Sequence, residues 1–176
     1  FVKCRDEQAF KKLYCNLRLR QKECKNQKIF CIETEETVAG FPDVMELLID
    51  STIRAHFYEF KFSDRRGNIK FQPTQPAFYK MNPEMEIRVV AYNCVSKRVH
   101  LFRTNEIFNK ESPYYTTNGR INLCAVEKEV GIRIDMPTLQ MLFSRNNRGV
   151  TPRHAVLTAL SKYVGYAEGW SEFCFA

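Results

Sequence analysis

The chain has 176 residues and a formal net charge of +7, a length typical of a single domain, since most domains contain roughly 100–200 residues. Hydrophobic residues make up 44% and aromatic residues 13%, with only seven glycines and seven prolines, which excludes disordered and fibrous classes. The longest apolar runs span a few residues, far short of the ~20 that a bilayer requires. We expect one domain over 1–176, part of a longer protein, with no membrane contact.

The positive charge is concentrated at the N-terminus. Residues 1–28 contain nine Lys or Arg and only three Asp or Glu. Such a concentration attracts polyanions, and without a lipid-inserting stretch beside it nucleic acid is the favoured partner. The alternative is a solvated helix face that only keeps the domain soluble.

Cysteine usage indicates a reducing compartment. The seven cysteines form no CxxC pair, and several lie inside apolar stretches, which is typical of buried thiols in a cytoplasmic or nuclear protein. None of the three histidines has cysteines at the spacing of a zinc site. We therefore expect no metal and no cofactor, except Mg²⁺ or Mn²⁺ if the chain is a nuclease.

The first elements are an amphipathic helix and a buried strand. Apolar residues three and four apart over Asp6–Cys24 predict a helix with a basic outer face. The apolar run 28–32 then predicts a strand with acidic residues at its C-terminal end. Pro42 followed by 43–48 predicts a short helix, because proline is tolerated in a first turn.

The middle of the chain predicts a hairpin and a proline-containing loop. Residues 53–62 alternate and are rich in aromatics, the polar segment 63–68 is a turn, and 69–72 is a second strand, so we expect a β-hairpin. Three prolines within 73–83 predict a loop.

The remaining elements are a strand followed by mixed and helical segments. We predict, in chain order, a strand at 86–92, a strand and then a short helix within 97–109, a loop at 112–119, a helix and a strand within 121–134, a helix from Pro137, and a final helix from Pro152. This order predicts an α/β domain of mixed α+β type, with a central mixed sheet flanked by helices.

Several local strings resemble those of the ribonuclease-H-like 3′–5′ exonucleases of the DnaQ type. Ile32–Thr37 is similar to the first-strand motif of that family, with Glu33 and Glu35 at its acidic positions, and Val89–Asn93 is similar to a later strand. Asp135 followed by His154 resembles the last strand and helix. The resemblance implies a ribonuclease-H-like sheet and makes these acids and His154 the candidate catalytic residues.

The sequence also departs from that family's pattern. Lys97 stands near the position of the second-motif Asp, and Arg153 and Thr158 stand at the His and Asp positions of the last helix. Two metal ions need several carboxylates, and a lysine would repel them. The resemblance therefore implies an inactive exonuclease-like domain, comparable to that of Maelstrom-type proteins in small-RNA pathways.

The leading functional prediction is a non-catalytic module that binds RNA in RNA silencing or RNA processing. The residues expected to contact phosphates are all basic: Lys11, Lys12, Arg18, Lys22, Lys25, Arg65, Arg66, Lys97, Arg98, Arg145 and Arg148. Loop aromatics such as Phe78, Tyr79, Tyr114 and Tyr115 are candidates for base stacking. Two alternatives stay open: a protein-interaction scaffold, and a divergent metal-dependent nuclease using Glu33, Glu35 and Asp135.

Overall fold

The computed structural model describes residues 5–20, 28–34, 38–49, 51–108, 119–126, 131–138, 154, 157 and 158. Its elements in chain order are α1 Glu7–Arg20, β1 Lys28–Glu33, β2 Val44–Ile49, β3 Ile53–Phe62, β4 Asn68–Lys70, α2 Thr74–Met81, β5 Ile87–Asn93, β6 Arg98–Arg103, α3 Thr104–Ile107, β7 Arg120–Asn122, α4 Leu123–Val126 and β8 Ile132–Asp135. None of the helices in these ranges is long and apolar enough to cross a bilayer.

The main sheet has six strands in the order β1-β2-β3-β5-β6-β8. All neighbouring pairs are antiparallel except β3 and β5, which are parallel. Strands β1, β3, β5 and β8 therefore run in one direction and end at the same edge of the sheet, here called the carboxyl edge. The predicted class, a mixed sheet with helices, is confirmed.

Each face of the sheet carries its own hydrophobic core. On one face, Phe10 of α1 packs against Tyr58, Phe60 and Val90, and we call this the α1 face. The opposite face, the α2 face, buries Tyr79 of α2 with residues of β5, β6 and the β4–β7 ribbon. Because successive residues of β3 point to opposite faces, the strand contributes to both cores.

The segment 43–48 is a strand, so the prediction of a helix there was wrong. Residues Val44, Glu46 and Leu48 are buried and alternate with half-buried neighbours. Strand β2 is hydrogen-bonded to β1 on one side and to β3 on the other. Pairing on both edges decides the conformation here, since tertiary context overrides the local proline signal.

The predicted hairpin of β3 and β4 does not form. The turn is present, with Asp64 Oδ1 accepting the backbone N–H groups of Arg66 at 2.8 Å and Asn68 at 2.9 Å. However, the edge of β3 that faces β5 is paired as far as Phe62, and beyond Tyr58 the other edge is bound by the carboxylates of Asp43 and Glu7. The chain after the turn therefore leaves the main sheet, and β4 pairs with β7 in a separate two-stranded ribbon.

The proline-containing segment forms helix α2, so the loop predicted for 73–83 was also wrong. Pro73 lies at the N-cap and Pro76 lies in the first turn, where backbone N–H groups have no intrahelical acceptor and proline costs little. The third proline, Pro83, follows the helix end at Met81. The prolines therefore border or begin the helix without interrupting it.

The other predictions agree with the described residues. Helix α1, strands β1, β3 and β5, the strand and short helix of β6 and α3, and the mixed segment from β7 to β8 are confirmed. The predicted helix from Pro137 starts within the described residues, because residues 136–138 have helical backbone, but the rest of it lies outside them, as do most of the final helix and the loop at 112–118. His154, Leu157 and Thr158 have helical backbone.

Candidate functional site

The acidic residues singled out from the sequence lie at opposite sides of the sheet. Glu33 ends β1 and Asp135 ends β8, the two outermost strands. Five strand spacings of about 4.8 Å separate them by about 24 Å across the sheet, far more than the ~4 Å between paired catalytic metals. Glu35 lies outside the described residues. The structure therefore does not bring Glu33 and Asp135 together.

Each of these residues has a local contact. The Oε2 atom of Glu33 lies 3.2 Å from the ammonium of Lys11. Asp135 Oδ1 accepts the backbone N–H of Thr138 at 2.7 Å, and this hydrogen bond lowers the pKa of Asp135. The Nδ1 atom of His154, an exposed residue, lies 3.3 Å from the hydroxyl of Thr158.

A different set of charged residues converges near the carboxyl edge, and we call it the β3 cluster: Glu7, Asp43, Glu59 and Lys61. Glu59 and Lys61 are two residues apart on β3 and point to the α2 face. Residue 43 precedes β2, and the register Val44 to Tyr58 places Asp43 opposite Glu59 on the same face. Strand pairing thus brings two carboxylates and an ammonium together.

Glu59 is the centre of this cluster. Its side chain is completely buried, and its Oε1 atom lies 2.5 Å from the Lys61 ammonium. The amide of Gln75 also donates to Oε1, at 2.6 Å, and the hydroxyl of Tyr79 donates to Oε2 at 2.9 Å. A carboxylate has about four lone-pair positions, so three are used and the carboxylate is held in one orientation.

Asp43 and Glu7 bind backbone N–H groups of β3 beyond the point where its pairing with β2 ends. Pairing with β2 stops at Tyr58, so the next N–H groups on that edge need other acceptors. Asp43 Oδ2 accepts from Phe60 N at 2.7 Å, and Glu7 Oε2 accepts from Phe62 N at 3.1 Å. The backbone of β3 therefore fixes both carboxylates beside Glu59.

The electrostatics of the cluster follow from burial and charge. Burial raises the pKa of Glu59 to about 7, with Asp43 contributing, although the Lys61 charge opposes the shift. Burial alone would lower the pKa of Lys61, but the negative charges of Glu59, Glu7 and Asp43 outweigh it and raise the pKa. Lys61 is therefore a stable cation among three carboxylates.

The cluster contains three acidic side chains and the ammonium of Lys61. Within the described part of the chain, this ammonium lies 2.5 Å from Glu59 Oε1 and 4.0 Å from Glu7 Oε1. Among the residues that the structure describes, no three His, Cys, Asp or Glu side chains already have the arrangement of a metal site. Oxygen ligands of this kind suit Mg²⁺ or Mn²⁺, and Asp43 with Glu59 would hold the ion.

The basic residues predicted to contact phosphates fall into three groups. Arg65, Arg66 and Lys97 are exposed in the turns that follow β3 and β5, and Arg98 is exposed at the start of β6, so all four lie at the carboxyl edge. Lys12 is exposed on α1, whereas Lys11 is buried and contacts Glu33. Arg18 has only its backbone described, and Lys22, Lys25, Arg145 and Arg148 lie outside the described residues.

Two aromatic residues expected in loops lie in α2 instead. The ring of Phe78 packs edge-on against Phe41 at 5.5 Å between centroids. Tyr79 is buried and its hydroxyl binds Glu59. Phe78 therefore belongs to the core, and Tyr79 belongs to the core and contacts the β3 cluster. Tyr114 and Tyr115 lie outside the described residues.

Sequence reasoning missed the β3 cluster. The available signal was Glu59 and Lys61 at alternate positions within the aromatic strand 53–62, where a buried strand face normally carries apolar side chains. Asp43 was assigned to a helix, which separated it from β3. No local sequence pattern indicates that Glu7 and Gln75, which are distant from β3 in sequence, lie next to it in the fold.

Comparisons with known proteins provide no further assignment. No protein-family model matches the chain, and no curated protein and no solved structure shows significant similarity to it. The ribonuclease-H-like resemblance stays a prediction, and the function must be argued from the geometry of the β3 cluster.

Proposed function

We propose that this domain hydrolyses phosphodiester bonds in RNA, with a divalent metal ion held by Asp43 and Glu59. The observation that carries this proposal is the buried Glu59–Lys61 ion pair, with Asp43 opposite it on the neighbouring strand. The site differs from the nuclease site that the sequence suggested, which used Glu33, Glu35 and Asp135.

A buried ion pair of this kind calls for an explanation other than stability. Removing two charges from water costs several kcal/mol for each ion, and apolar side chains of similar volume often give equal or greater stability. Strand β3 fills its other buried positions with aromatic rings such as Tyr58 and Phe60. Charges at positions 59 and 61 are better explained by chemistry than by packing.

The residues of the cluster match the needs of phosphodiester hydrolysis. A bound divalent ion polarises the phosphoryl oxygen and lowers the pKa of a coordinated water. Asp43 and Glu59 supply oxygen ligands, and Gln75 and Tyr79 hold Glu59 in place. The ammonium of Lys61 would stabilise negative charge that develops on a phosphate bound beside Glu59.

The surroundings of the cluster favour a polyanionic substrate. Arg65, Arg66, Lys97 and Arg98 are exposed at the same carboxyl edge, and phosphate contacts from such residues hold a nucleic-acid backbone without reading its sequence. In this arrangement the basic residues would bind a nucleic-acid strand, and the acidic residues next to them would hold the metal ion that cleaves it.

The non-catalytic module of RNA silencing or processing is the second candidate. It is favoured by the contact between Lys61 and Glu59, because an ammonium that stays bound to Glu59 would oppose metal binding. In that case the same basic residues bind RNA without cleavage.

A protein-interaction scaffold is the third candidate. It is favoured by β1, a strand at the border of the sheet whose Phe30 and Ile32 side chains are exposed by 41% and 39%. Exposed apolar side chains on an outermost strand of the described sheet suit pairing with a strand of another protein.

One experiment separates the three candidates. Fluorescently labelled single-stranded RNA is titrated with the purified protein across a salt series with Mn²⁺ present, and the products are run on a gel. Shortened RNA supports the nuclease. Salt-sensitive binding without shortened RNA supports the non-catalytic module, and absence of both binding and cleavage supports the scaffold.

A further inference from the structure

Two thiols meet where α1 packs on the border strand β1. Cys15 of α1 and Cys31 of β1 are both reduced and half-buried, and both pack against the core of the α1 face. Cys31 is also the first cause of the raised pKa of Cys15. Two free thiols from separate elements therefore lie near each other beside the same core.

A second contact joins the same two elements beside the thiols. Lys11 precedes Cys15 by one helical turn, and Glu33 follows Cys31 by two strand positions, so each pair shares a face of its element. The Lys11–Glu33 ion pair, at 3.2 Å, therefore holds α1 against β1 beside the two sulfurs. Its position limits how far the thiols can move apart.

We propose that Cys15 and Cys31 form a reversible disulfide that fastens α1 to β1 under oxidising conditions. The two thiols lie on the facing sides of α1 and β1, next to the Lys11–Glu33 ion pair that joins these elements. The disulfide is a modification site separate from the β3 cluster, and its formation does not depend on the proposed nuclease activity.

The reaction needs a two-electron oxidant, for which hydrogen peroxide suffices. The Cys31 thiolate attacks a peroxide oxygen and breaks the O–O bond, and after proton transfer the products are a sulfenic acid and one water. The Cys15 sulfur then attacks the sulfenic sulfur, breaks the S–O bond and releases a second water. The two thiols lose two hydrogens and two electrons, which peroxide takes up.

The environment distinguishes the roles of the two cysteines. The hydrogen bond with Cys31, followed by burial, raises the pKa of Cys15 well above that of an ordinary thiol. A protonated thiol is a poor nucleophile, so Cys15 acts second, as the resolving residue.

The consequence for the protein is a fixed α1. This helix carries Glu7, whose carboxylate binds the backbone of β3 at Phe62. A cross-link between residues 15 and 31 closes a loop of about 15 residues and restricts the unfolded chain. Oxidation should therefore stabilise the helix that brings Glu7 to the β3 cluster.

The test uses the full chain, first reduced and then treated with hydrogen peroxide without metal or nucleic acid. Intact mass should fall by two hydrogens, and a non-reduced digest should contain the peptide of Cys15 joined to that of Cys31. The Tm should rise by about 5–10 °C, and a reducing agent should reverse both changes.

Variants identify the cross-link. Cys15→Ser and Cys31→Ser should each lose the joined peptide and the Tm increase, while Cys124→Ser, a half-buried cysteine outside α1 and β1, should retain both. Circular dichroism of the reduced variants checks that they fold. The proposal is overturned if peroxide adds oxygen to single cysteines without joining residues 15 and 31, or if the joined peptide contains other cysteines.

Discussion

The pH dependence of stability offers a quantitative test of the environment of Glu59. In the folded chain its pKa is raised from 4.5 to about 7, so the folded state binds the proton more tightly than the unfolded state. The stabilisation is complete below pH 4.5 and is lost as pH rises through 7. One pKa unit corresponds to about 1.36 kcal/mol, which gives a loss of about 3 kcal/mol over the whole range, most of it between pH 5 and pH 8.

The assay is urea unfolding of the wild type and of Glu59→Gln at pH 5, 6, 7 and 8, with a chelator present. Glutamine does not titrate, so the variant should lack this loss of about 3 kcal/mol, whatever its absolute stability. Other titrating groups occur in both proteins and cancel in the comparison. Glu86→Gln, which changes a half-exposed glutamate in an ion pair with Arg103, should keep the wild-type dependence. Equal pH dependence in wild type and Glu59→Gln would refute the reasoning.

Three further predictions concern the backbone and the basic surface. Gly131 has φ +71°, and an added Cβ would clash with the backbone oxygen of Leu101. Gly131→Ala should therefore lower stability by about 2–4 kcal/mol in urea unfolding, and an unchanged midpoint contradicts this. Lys97 has φ +58°, a backbone conformation that glycine adopts more easily. Lys97→Gly should therefore raise stability by about 0.5 kcal/mol and weaken RNA binding. A less stable variant would show that the backbone at residue 97 is not strained. Replacing Arg65 and Arg66 with Ala should reduce the slope of log affinity against log salt by about 1.4. The control, Arg54→Ala at the other end of β3, should leave the slope unchanged. Equal slopes in both variants would show that Arg65 and Arg66 do not contact RNA.

Sequence patterns predicted the elements whose periodicity follows their own burial. Helix α1 has one apolar side facing the sheet, and β3 alternates between two cores, so local spacing was sufficient. The predictions for the segment 43–48 and for the segment around Pro76 were wrong for another reason. Their conformation is set by pairing with β1 and β3 and by the tolerance of proline in a first helical turn, and neither is visible in local spacing.

The candidate site was harder to predict than the fold. Glu33 and Asp135 were chosen because they follow strands, but strand order places those strands at opposite borders of the sheet. Asp43, Glu59 and Gln75 come from three elements, and only the register of β2 with β3 and the packing of α2 bring them together. Strand order and register are properties of the whole chain, so acidic residues alone could not identify the site.

The most direct test of the β3 cluster is the rate of Mn²⁺-dependent cleavage of labelled single-stranded RNA by Asp43→Asn and by Glu33→Gln. Both variants remove one carboxylate charge near the end of the sheet, but only Asp43 belongs to the cluster. We predict that Asp43→Asn lowers the rate by at least about 100-fold, which corresponds to about 2.7 kcal/mol of transition-state stabilisation, while Glu33→Gln cleaves at nearly the wild-type rate. Loss of cleavage in Glu33→Gln with full cleavage in Asp43→Asn would contradict the account and return the site to β1.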